Sequence, residues 1–477
     1  MDRRFFIMHK ITLLLFTVAF CSLPNVNAQE SSNQELETRI LGLVQPYLDA
    51  EIINCAAIGV IDGDMRLTLS AGQFSKEDAT KADENTIFEI GSISKVFTGV
   101  LLADAIERGI VKADQPAGDL LPDGVSMPVY KTKPERLITL SQLSTHVSGL
   151  PRMPSNISLT NHEDPYASYD SKEMFEFLNS HELSRKPGIS EEYSNYGVAL
   201  LGELLSQKQK TDYAKLLETR ITKPLGMSDT SILPDADQKK RLAPPNDGSC
   251  NPATSWYFGS MAGAGAIRST VNDMLKFAAA SLKSPESDTG KAIELAFTQQ
   301  RKPKGYGSNP MGFGWMINPS SQTRWHNGQT GGYHSIMYVN RENNRAVVVL
   351  SNTATGEVDK LGSEIMALLD GKDVKPREFR KVIQVSEELC ERYVGAYKLN
   401  EALTIDVAYA EGTKTGLTVQ LTGQPAFAVF PESETRWFLK VVEADIEFTV
   451  DDDGKCVSLT LHQNGICLLY TSDAADE

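Results

Sequence analysis

The chain has 477 residues, a length that predicts more than one domain. Its 41% hydrophobic and 23% charged residues are typical of a globular protein and exclude a largely disordered, collagen-like or coiled-coil chain. The formal net charge of −15 argues against nucleic acid as a partner and against binding to an anionic membrane by surface charge. Six cysteines without a Cys-x-x-Cys spacing predict neither a disulfide scaffold nor a metal site.

The N-terminus has the features of an export signal. Arg3 and Arg4 precede an apolar run at 11–23, which is too short to span a bilayer unaided. Small residues at 26–28 then offer a cleavage site. We therefore expect residues 1–28 to be a signal peptide. The mature protein is then periplasmic or secreted, with no stable membrane span after cleavage.

Apolar periodicity predicts the secondary structure of the central part of the chain. The helical pattern covers 35–50, a segment that opens at Ser92 and runs to 107, and then 140–145, 198–206 and 357–369. Strands are predicted at 55–60, 65–71 and 346–350, the first two joined by the Asp62-Gly63 turn.

The composition changes after residue 370. Residues 371–385 are charged and contain a proline, which predicts a linker. Beyond it, short period-two runs with frequent turns predict a small antiparallel barrel or sandwich over 386–466. Residues 467–477 resemble a translated sequencing adapter, so we expect the barrel to be truncated and this tail to carry no fold information. In an oxidising compartment Cys390 and Cys456 could form a disulfide, although free thiols fit the sequence at least as well.

The first chemical motif is Ser92-Ile93-Ser94-Lys95. At a spacing of three on a helix, Ser92 and Lys95 lie one turn apart on the same face. Gly91 lets the chain turn sharply, and a serine at a helix N-terminus has a backbone N–H available to an oxyanion. A buried lysine with a lowered pKa can take the serine proton and so activate a nucleophile. Ordinary helix composition is the alternative, because this spacing also arises by chance.

The second motif is Tyr193-Ser194-Asn195. The phenol of Tyr193 can relay a proton, and the amide of Asn195 can hold a substrate peptide group through both its donor and its acceptor. A surface loop is the alternative interpretation. The segment 338–340 has the same Tyr-x-Asn spacing, but it lies in an apolar run and we interpret it as structural.

The third motif is the segment 326–333, HNGQTGGY. Glycine-rich sequence at a strand lets a substrate backbone lie close, and His326 can bind a carboxylate or shuttle a proton. A hairpin rim with a solvated histidine is the alternative.

Together and in this order, the three motifs resemble the serine penicillin-recognising enzymes: class C β-lactamases, the related D-alanyl-D-alanine carboxypeptidases and the esterases of that fold. The segments between the motifs are similar to that family as well: 88–95, 138–151, 223–232, 262–277 and 312–315. The resemblance covers residues 35–370. It implies an α/β, β-lactamase/transpeptidase-like fold, with an antiparallel sheet flanked by helices and a helical subdomain. The segment 393–399 and those after it are similar to the lipocalin-like barrel often appended to such hydrolases.

The resemblance also implies the roles of the site residues. Ser92 is then the acylated nucleophile, and Lys95 and Tyr193 are the general-base pair. Asn195 holds the substrate amide and His326 receives the substrate carboxylate. The oxyanion hole is then formed by the backbone N–H groups of Ser92 and Gln329, and Gly328 is a further substrate-binding residue. No metal site and no cofactor are expected.

Two features separate this chain from class C β-lactamases. Those enzymes have Lys-Thr-Gly where this chain has His326-Asn327-Gly328. A neutral histidine anchors a carboxylate less strongly than lysine at pH 7, and Asn327 lacks a hydroxyl that could bind the carboxylate. Some D,D-peptidases have histidine at this place, so a peptidase or esterase is favoured over an efficient β-lactamase. The segment 414–416, Lys-Thr-Gly, matches the missing motif in letters, but it lies in the predicted barrel and we interpret it as a hairpin.

We therefore expect an exported serine hydrolase that forms an acyl-enzyme with a D-Ala-D-Ala-type peptide, a β-lactam or a related amide. A strict β-lactamase and a short-chain esterase are the enzymatic alternatives. The alternative from another class is a non-catalytic penicillin or cell-wall-peptide sensor that acylates once and stays acylated. The expected partner is a small-molecule or peptide substrate, and the sequence does not predict an oligomeric state.

Overall fold

The structure is a computed structural model that describes residues 26–130, 136–157, 164–302, 309–400 and 402–472. The predicted signal peptide lies outside the described residues as far as residue 25, and residues 26–28 form the start of the first helix. Within the described ranges, no helix is both long enough and apolar enough to cross a bilayer.

Twelve helices are found in the described residues: α1 Val26–Asp49, α2 Ser94–Glu107, α3 Leu140–Ser144, α4 Ser171–Ser180, α5 Asn195–Gln209, α6 Tyr213–Leu217, α7 Ala236–Lys240, α8 Ala262–Gly265, α9 Val271–Leu282, α10 Asp288–Phe297, α11 Glu357–Leu369 and α12 Glu387–Tyr393. Short 3₁₀ turns lie at Gly91–Ile93, Ala117–Leu120 and Gly259–Met261.

The same residues contain eight strands before the linker: β1 Cys55–Asp62, β2 Met65–Gly72, β3 Phe88–Glu89, β4 Arg268–Ser269, β5 Met316–Ile317, β6 Arg324–Gln329, β7 His334–Asn340 and β8 Arg345–Ser351. The strands after the linker are β9 Gly395–Asn400, β10 Leu403–Tyr409, β11 Leu417–Leu421, β12 Phe427–Pro431, β13 Arg436–Leu439, β14 Ala444–Val450, β15 Cys456–Gln463 and β16 Ile466–Ser472.

A six-stranded antiparallel sheet forms the centre of the first domain, in the order β2-β1-β8-β7-β6-β5. Strands β1 and β8 are apolar and almost wholly buried, which requires cover on both faces. Ile58 and Val349 are paired in register and pack with α1 and α11 on one face, whereas Ala57 and Val348 face a larger core that includes α2 and α9. The predicted antiparallel sheet flanked by helices is confirmed.

Helix α2 of the larger core is held firmly by its neighbours. Helix α2 is buried over nearly its whole length and packs against α5, α8 and α10. Such a helix cannot rotate or slide without breaking contacts on every side, so residues at its N-terminus are held in a fixed position.

The second domain is a closed antiparallel barrel of eight strands in the order β10-β11-β12-β13-β14-β15-β16-β9. Its core contains buried aromatic side chains, with the rings of Tyr393 and Phe448 stacked at 4.0 Å between centroids. The segment 414–416 lies in the exposed connection between β10 and β11, and the segment 338–340 ends strand β7.

The structure differs from the sequence prediction at the end of the chain. Residues 467–472 were expected to carry no fold information, but they belong to β16, which closes the barrel between β15 and β9. The physical reason is that side chains in this segment alternate between the barrel core and solvent, a pattern that the prediction overlooked. Leu468 and Tyr470 face the barrel core, and Tyr470 is only 1% exposed.

The segment 371–385 is extended and held between the two domains. The ring of Phe379 packs edge-on against Tyr47 of α1, and Arg377 forms an ion pair with Glu357 of α11. Further along, Arg380 forms an ion pair with Asp445 of the barrel. This segment is therefore a docked connection. Cys390 and Cys456, the possible disulfide, are both free and buried thiols.

Candidate active site

Ser92 lies in the 3₁₀ turn Gly91–Ile93, which leads directly into α2. The sequence predicted that the helix opens at Ser92, and the structure shows that this first turn is the tighter 3₁₀ form. Gly91 has φ of +48°, in the left-handed region that favours glycine. The turn thus presents the Ser92 side chain and backbone N–H at the start of a buried helix.

The amine of Lys95 lies directly beside the nucleophile. Its Nζ is 2.7 Å from Ser92 Oγ and 2.6 Å from the backbone oxygen of Ala264. The side chain is wholly buried, and in the described part of the chain no carboxylate forms an ion pair with it. Burial, assisted by the positive charge of Arg152, lowers the pKa of Lys95 well below its usual value. A neutral amine that can accept the Ser92 proton is therefore accessible.

Tyr193 is placed to relay a proton at the same point. The Lys95 Nζ lies 5.0 Å from the centroid of its ring. Burial raises the pKa of Tyr193, and a hydrogen bond with Ser92 offsets only part of that rise. Tyr193 is therefore a protonated phenol in the free enzyme, and Lys95 is the better base.

Two backbone segments meet beside Ser92, where the oxyanion hole is predicted. A Cβ on Gly91 would lie 2.7 Å from the backbone nitrogen of Gln329, and one on Gly328 would lie 2.0 Å from the backbone oxygen of Ile90. Only glycine at both positions lets strand β6 come this close to the 3₁₀ turn. The N–H groups of Ser92 and Gln329 thereby reach the same region.

Asn195 is the first residue of α5, whose N-terminus is capped by Ser194. Its Nδ2 approaches the thioether of Met153 at 3.5 Å. Its Oδ1 is buried and has no hydrogen-bond partner among the described residues. An unsatisfied buried acceptor beside the nucleophile is suited to the N–H of a substrate amide.

His326 occupies the predicted position in the third motif, but its environment differs from the prediction. The side chain is wholly buried, and burial together with the positive charge of Lys95 lowers the pKa of His326 to about 3. Its Nδ1 lies 2.5 Å from the backbone oxygen of Asn327, so Nδ1 carries the proton and Nε2 faces inward without a partner in the described chain. A neutral, buried imidazole offers no positive charge to a carboxylate, and the role of His326 as the carboxylate receptor stays a prediction.

A hydrogen-bond network occupies the same side of the site. Asp359 of α11 accepts a hydrogen bond from Asn327 Nδ2 at 2.7 Å and lies 2.8 Å from His334 Nε2. The other ring nitrogen of His334 lies 3.0 Å from the side-chain oxygen of Gln329. Asp359 therefore binds one side chain from β6 and one from β7, which helps to hold strand β6 in place.

Sequence reasoning missed several residues that line the site. The cavity in front of Ser92 has a volume of about 490 Å³, and its walls include Arg152, Tyr166, Trp256 and His334. Loops supply the first three, and no periodicity or motif marks them. Folding alone brings them together.

The Trp256 wall is anchored by a buried ion pair. Arg268 Nη2 donates to Glu89 Oε1 at 2.8 Å and to the Trp256 backbone oxygen at 2.9 Å, while the Trp256 N–H donates to Glu89. Both charged side chains are 2% exposed. Since a buried pair of this kind is lost only at a large cost, the loop that carries Trp256 is held rigidly.

His146 was also missed. Its ring lies 4.4 Å from the Tyr193 ring between centroids, and its Nδ1 accepts the backbone N–H of Ser194 at 3.1 Å. Burial and nearby cations hold the pKa of His146 well below its usual value. A neutral imidazole thus positions both the ring and the backbone of the second motif.

Comparison with known proteins agrees with this geometry. Residues 41–370 match the family model "Beta-lactamase", and residues 380–472 match "Domain of unknown function (DUF3471)". The D-alanyl-D-alanine-carboxypeptidase/endopeptidase AmpH of Escherichia coli K12 is 31% identical over 55% of this chain and 68% of its own length. Penicillin-binding protein 4* of Bacillus subtilis is 25% identical over 86% of this chain and 93% of its own length.

Solved structures give the same fold. A β-lactamase/D-alanine carboxypeptidase from Yersinia pestis, complexed with citrate, superposes with a TM-score of 0.62 at 25% identity, covering 71% of this chain and 99% of that chain. A class C β-lactamase superposes with a TM-score of 0.62 at 19% identity, covering 72% and 98%.

The chain belongs to the Beta-lactamase family and has the β-lactamase/transpeptidase-like fold, followed by a closed eight-stranded barrel. It is a serine hydrolase.

Proposed function

We propose that this protein is an exported serine hydrolase that forms an acyl-enzyme with a D-Ala-D-Ala-type peptide or a related amide. The observation that carries the proposal is the 2.7 Å distance between Ser92 Oγ and Lys95 Nζ, at a lysine whose burial favours the neutral amine.

The arrangement supports the following sequence of steps. Neutral Lys95 takes the proton of Ser92 as Oγ attacks the substrate carbonyl carbon. The N–H groups of Ser92 and Gln329 stabilise the oxyanion. As the intermediate collapses, the Tyr193 hydroxyl delivers a proton to the leaving nitrogen and is reprotonated by the Lys95 ammonium. Water then attacks the acyl-enzyme and releases the acid.

Two observations bear on the substrate class. The names of the two relatives above include a carboxypeptidase/endopeptidase and a penicillin-binding protein. A neutral His326 removes the cation that would help to hold a β-lactam carboxylate. The names favour an amide of peptide type, and the missing cation weakens the binding of any substrate whose carboxylate lies at His326, a β-lactam included.

Export rests on the sequence of residues 1–28, with its basic start, its apolar run and its small residues at 26–28. An N-terminal sequence of the mature protein that begins at residue 29 would support it. A full-length protein retained in the cytoplasm would count against it.

A hydrolysis panel tests the proposal. We expect turnover of a D-Ala-D-Ala peptide and of a short-chain p-nitrophenyl ester, with slower turnover of a chromogenic cephalosporin. A single stoichiometric acylation without steady-state turnover would instead indicate a sensor, and turnover of the ester alone would indicate an esterase.

The nucleophile is tested by Ser92→Ala, which should abolish turnover and covalent labelling by a fluorescent penicillin while the protein stays folded. Ser94→Ala is an unsuitable control, because the buried Ser94 Oγ accepts the Ile267 backbone N–H at 3.1 Å. Ser363→Ala, at an exposed position on α11, is a better one. Labelling that persists in Ser92→Ala would mean that another residue is the nucleophile.

A further inference from the structure

The charges around the cavity are distributed unequally. The side formed by strand β6 carries His326, which is neutral, and His334, whose ring is held by the carboxylate of Asp359. Asn327 also donates to Asp359. This side therefore has no positive charge left to bind a substrate carboxylate, although the resemblance to the penicillin-recognising enzymes places the carboxylate receptor at His326.

Another part of the cavity wall carries a cation, Arg152. The guanidinium carbon of Arg152 lies 5.1 Å from the centroid of the Tyr193 ring, and the side chain is exposed at the mouth of the cavity. Among the residues that the structure describes, no carboxylate forms an ion pair with it. Glu192 accepts only the Arg152 backbone N–H, at 3.1 Å, and its side chain forms an ion pair with Arg185.

The backbone of Arg152 is fixed against the residue expected to hold the substrate amide. The Arg152 carbonyl oxygen accepts the N–H of Asn195 at 3.0 Å and that of Tyr196 at 3.2 Å. The base of the side chain is therefore fixed to the N-terminus of α5, while its five N–H donors remain available at the cavity. A guanidinium presented in this way matches the geometry of a carboxylate.

We propose that Arg152 is a specificity-determining residue that binds a carboxylate on the acyl side of the substrate, the side held by Asn195. This inference rests on the proposed function for the orientation of the substrate, with the acyl group at Asn195 and the leaving group towards β6. It assigns the selection of anionic substrates to a loop arginine that belongs to none of the three motifs.

Two matched pairs of esters test the proposal. The acyl pair is p-nitrophenyl hydrogen adipate, whose acyl chain ends in a carboxylate, and p-nitrophenyl 5-carbamoylpentanoate, its neutral carboxamide counterpart. The leaving-group pair is the butyrate ester of 3-hydroxybenzoate and that of 3-hydroxybenzamide. In each pair the ratio of kcat/KM for the anion to kcat/KM for the amide isolates the effect of the charge.

For the wild type we expect the acyl-pair ratio to exceed one, and Arg152→Gln should lower it by about 10- to 100-fold, as the loss of a hydrogen bond to a charged group predicts. Arg152→Lys should retain part of the preference, because an ammonium keeps the charge but not the planar pair of donors. The leaving-group ratio should be the same in all three proteins. Each ratio divides two kcat/KM values measured on the same protein. A general effect of the Arg152 substitution on the reactivity of Lys95 therefore cancels.

Arg66→Gln is the matched control, because it removes one exposed positive charge from β2, at the other edge of the sheet from β5 and β6. It should leave both ratios unchanged. An acyl-pair ratio that Arg152→Gln leaves unchanged, or a fall confined to the leaving-group pair, would overturn the proposal. A wild type that hydrolyses none of the four esters and no D-Ala-D-Ala peptide would overturn the proposed function itself, and the assignment of Arg152 with it.

Discussion

Burial sets the protonation states of the side chains around Ser92. It lowers the pKa values of Lys95, His146 and His326 and raises that of Tyr193, because in each case the charged form loses its hydration. All four groups are thereby shifted towards their neutral forms. Because Lys95, Tyr193 and the two histidines are neutral, none of them needs an acidic partner. The charge that forms during acylation is then created inside a low-dielectric site.

The buried His326 predicts a specific acid sensitivity of folding. An unfolded histidine titrates near pH 6.5, whereas the pKa of His326 in the folded protein is about 3. Between these values the unfolded chain binds a proton that the folded chain does not, so stability is lost as the pH falls below about 6.5. From pH 7 to pH 5 this one group should reduce the free energy of unfolding by about 2 kcal/mol.

Denaturant unfolding at the two pH values measures this loss. His326→Gln should lose about 2 kcal/mol less than the wild type over the same interval. Ser363→Ala, which removes no titratable group from an exposed position, should behave as the wild type does. Equal pH dependence in the wild type and His326→Gln would show that His326 is not held neutral.

The sequence predicted which residues form the site, but it did not predict how deeply their side chains are buried or which of them are charged. The structure brings Ser92, Lys95, Tyr193 and Asn195 together, because motif spacing reflects local geometry on α2 and α5. The protonation state of His326 depends on its burial by segments that are distant in the sequence. The spacing of residues within a motif carries no information about that burial. Arg152 was missed for the same reason.

At the scale of elements, the site depends on how closely strand β6 approaches the 3₁₀ turn before α2. Gly91→Ala should disturb this approach, since the added Cβ would lie 2.7 Å from the Gln329 nitrogen and φ is +48°. We expect kcat to fall by about 100- to 1000-fold, the range for loss of an oxyanion-hole donor.

The control is Gly356→Ala, where an added Cβ meets no atom within 4 Å. Steady-state kinetics on a p-nitrophenyl ester, corrected for folded protein by circular dichroism, separates the catalytic effect from a folding defect. A Gly91→Ala enzyme with wild-type kcat would show that the two segments tolerate separation and that the Gln329 N–H is not required.

Most elements were predictable because their patterns are strong. Helix α11 has the predicted bounds, and the hairpin of β1 and β2 forms around Gly63, which has positive φ. Strands β9 and β16 were not predicted as strands. The first strand alternates regularly, with Tyr397 and Leu399 towards the barrel core and Lys398 outward, and this alternation was overlooked; the second lies in a segment dismissed for its unusual sequence. Both strands are needed to close the barrel, because a strand with no partner leaves its backbone groups unpaired.

At the scale of the whole molecule, the barrel is docked onto the first domain by polar contacts. Lys440 donates to the backbone oxygens of Ala50 and Glu51, just beyond the C-terminus of α1, at 3.2 and 3.4 Å. A cation is favourable at this end of a helix. The contacts lie outside the residues that line the cavity, so the barrel is not expected to supply groups to the reaction.

The barrel is instead sensitive to where the chain ends. A chain stopped after Ile466 lacks nearly all of β16, so the facing backbone groups of β9 and β15 lose their partners and Tyr470 is lost from the core. We expect its barrel to unfold in a separate transition at lower temperature, since loss of one large buried aromatic side chain alone costs about 3–5 kcal/mol. A chain stopped after Ser472 keeps every described pair of β16. Scanning calorimetry of the two truncated proteins makes the comparison, and proteolysis should cut the shorter one within the barrel. Identical calorimetric profiles would mean that residues 467–472 contribute nothing to the fold, as their resemblance to an adapter first suggested.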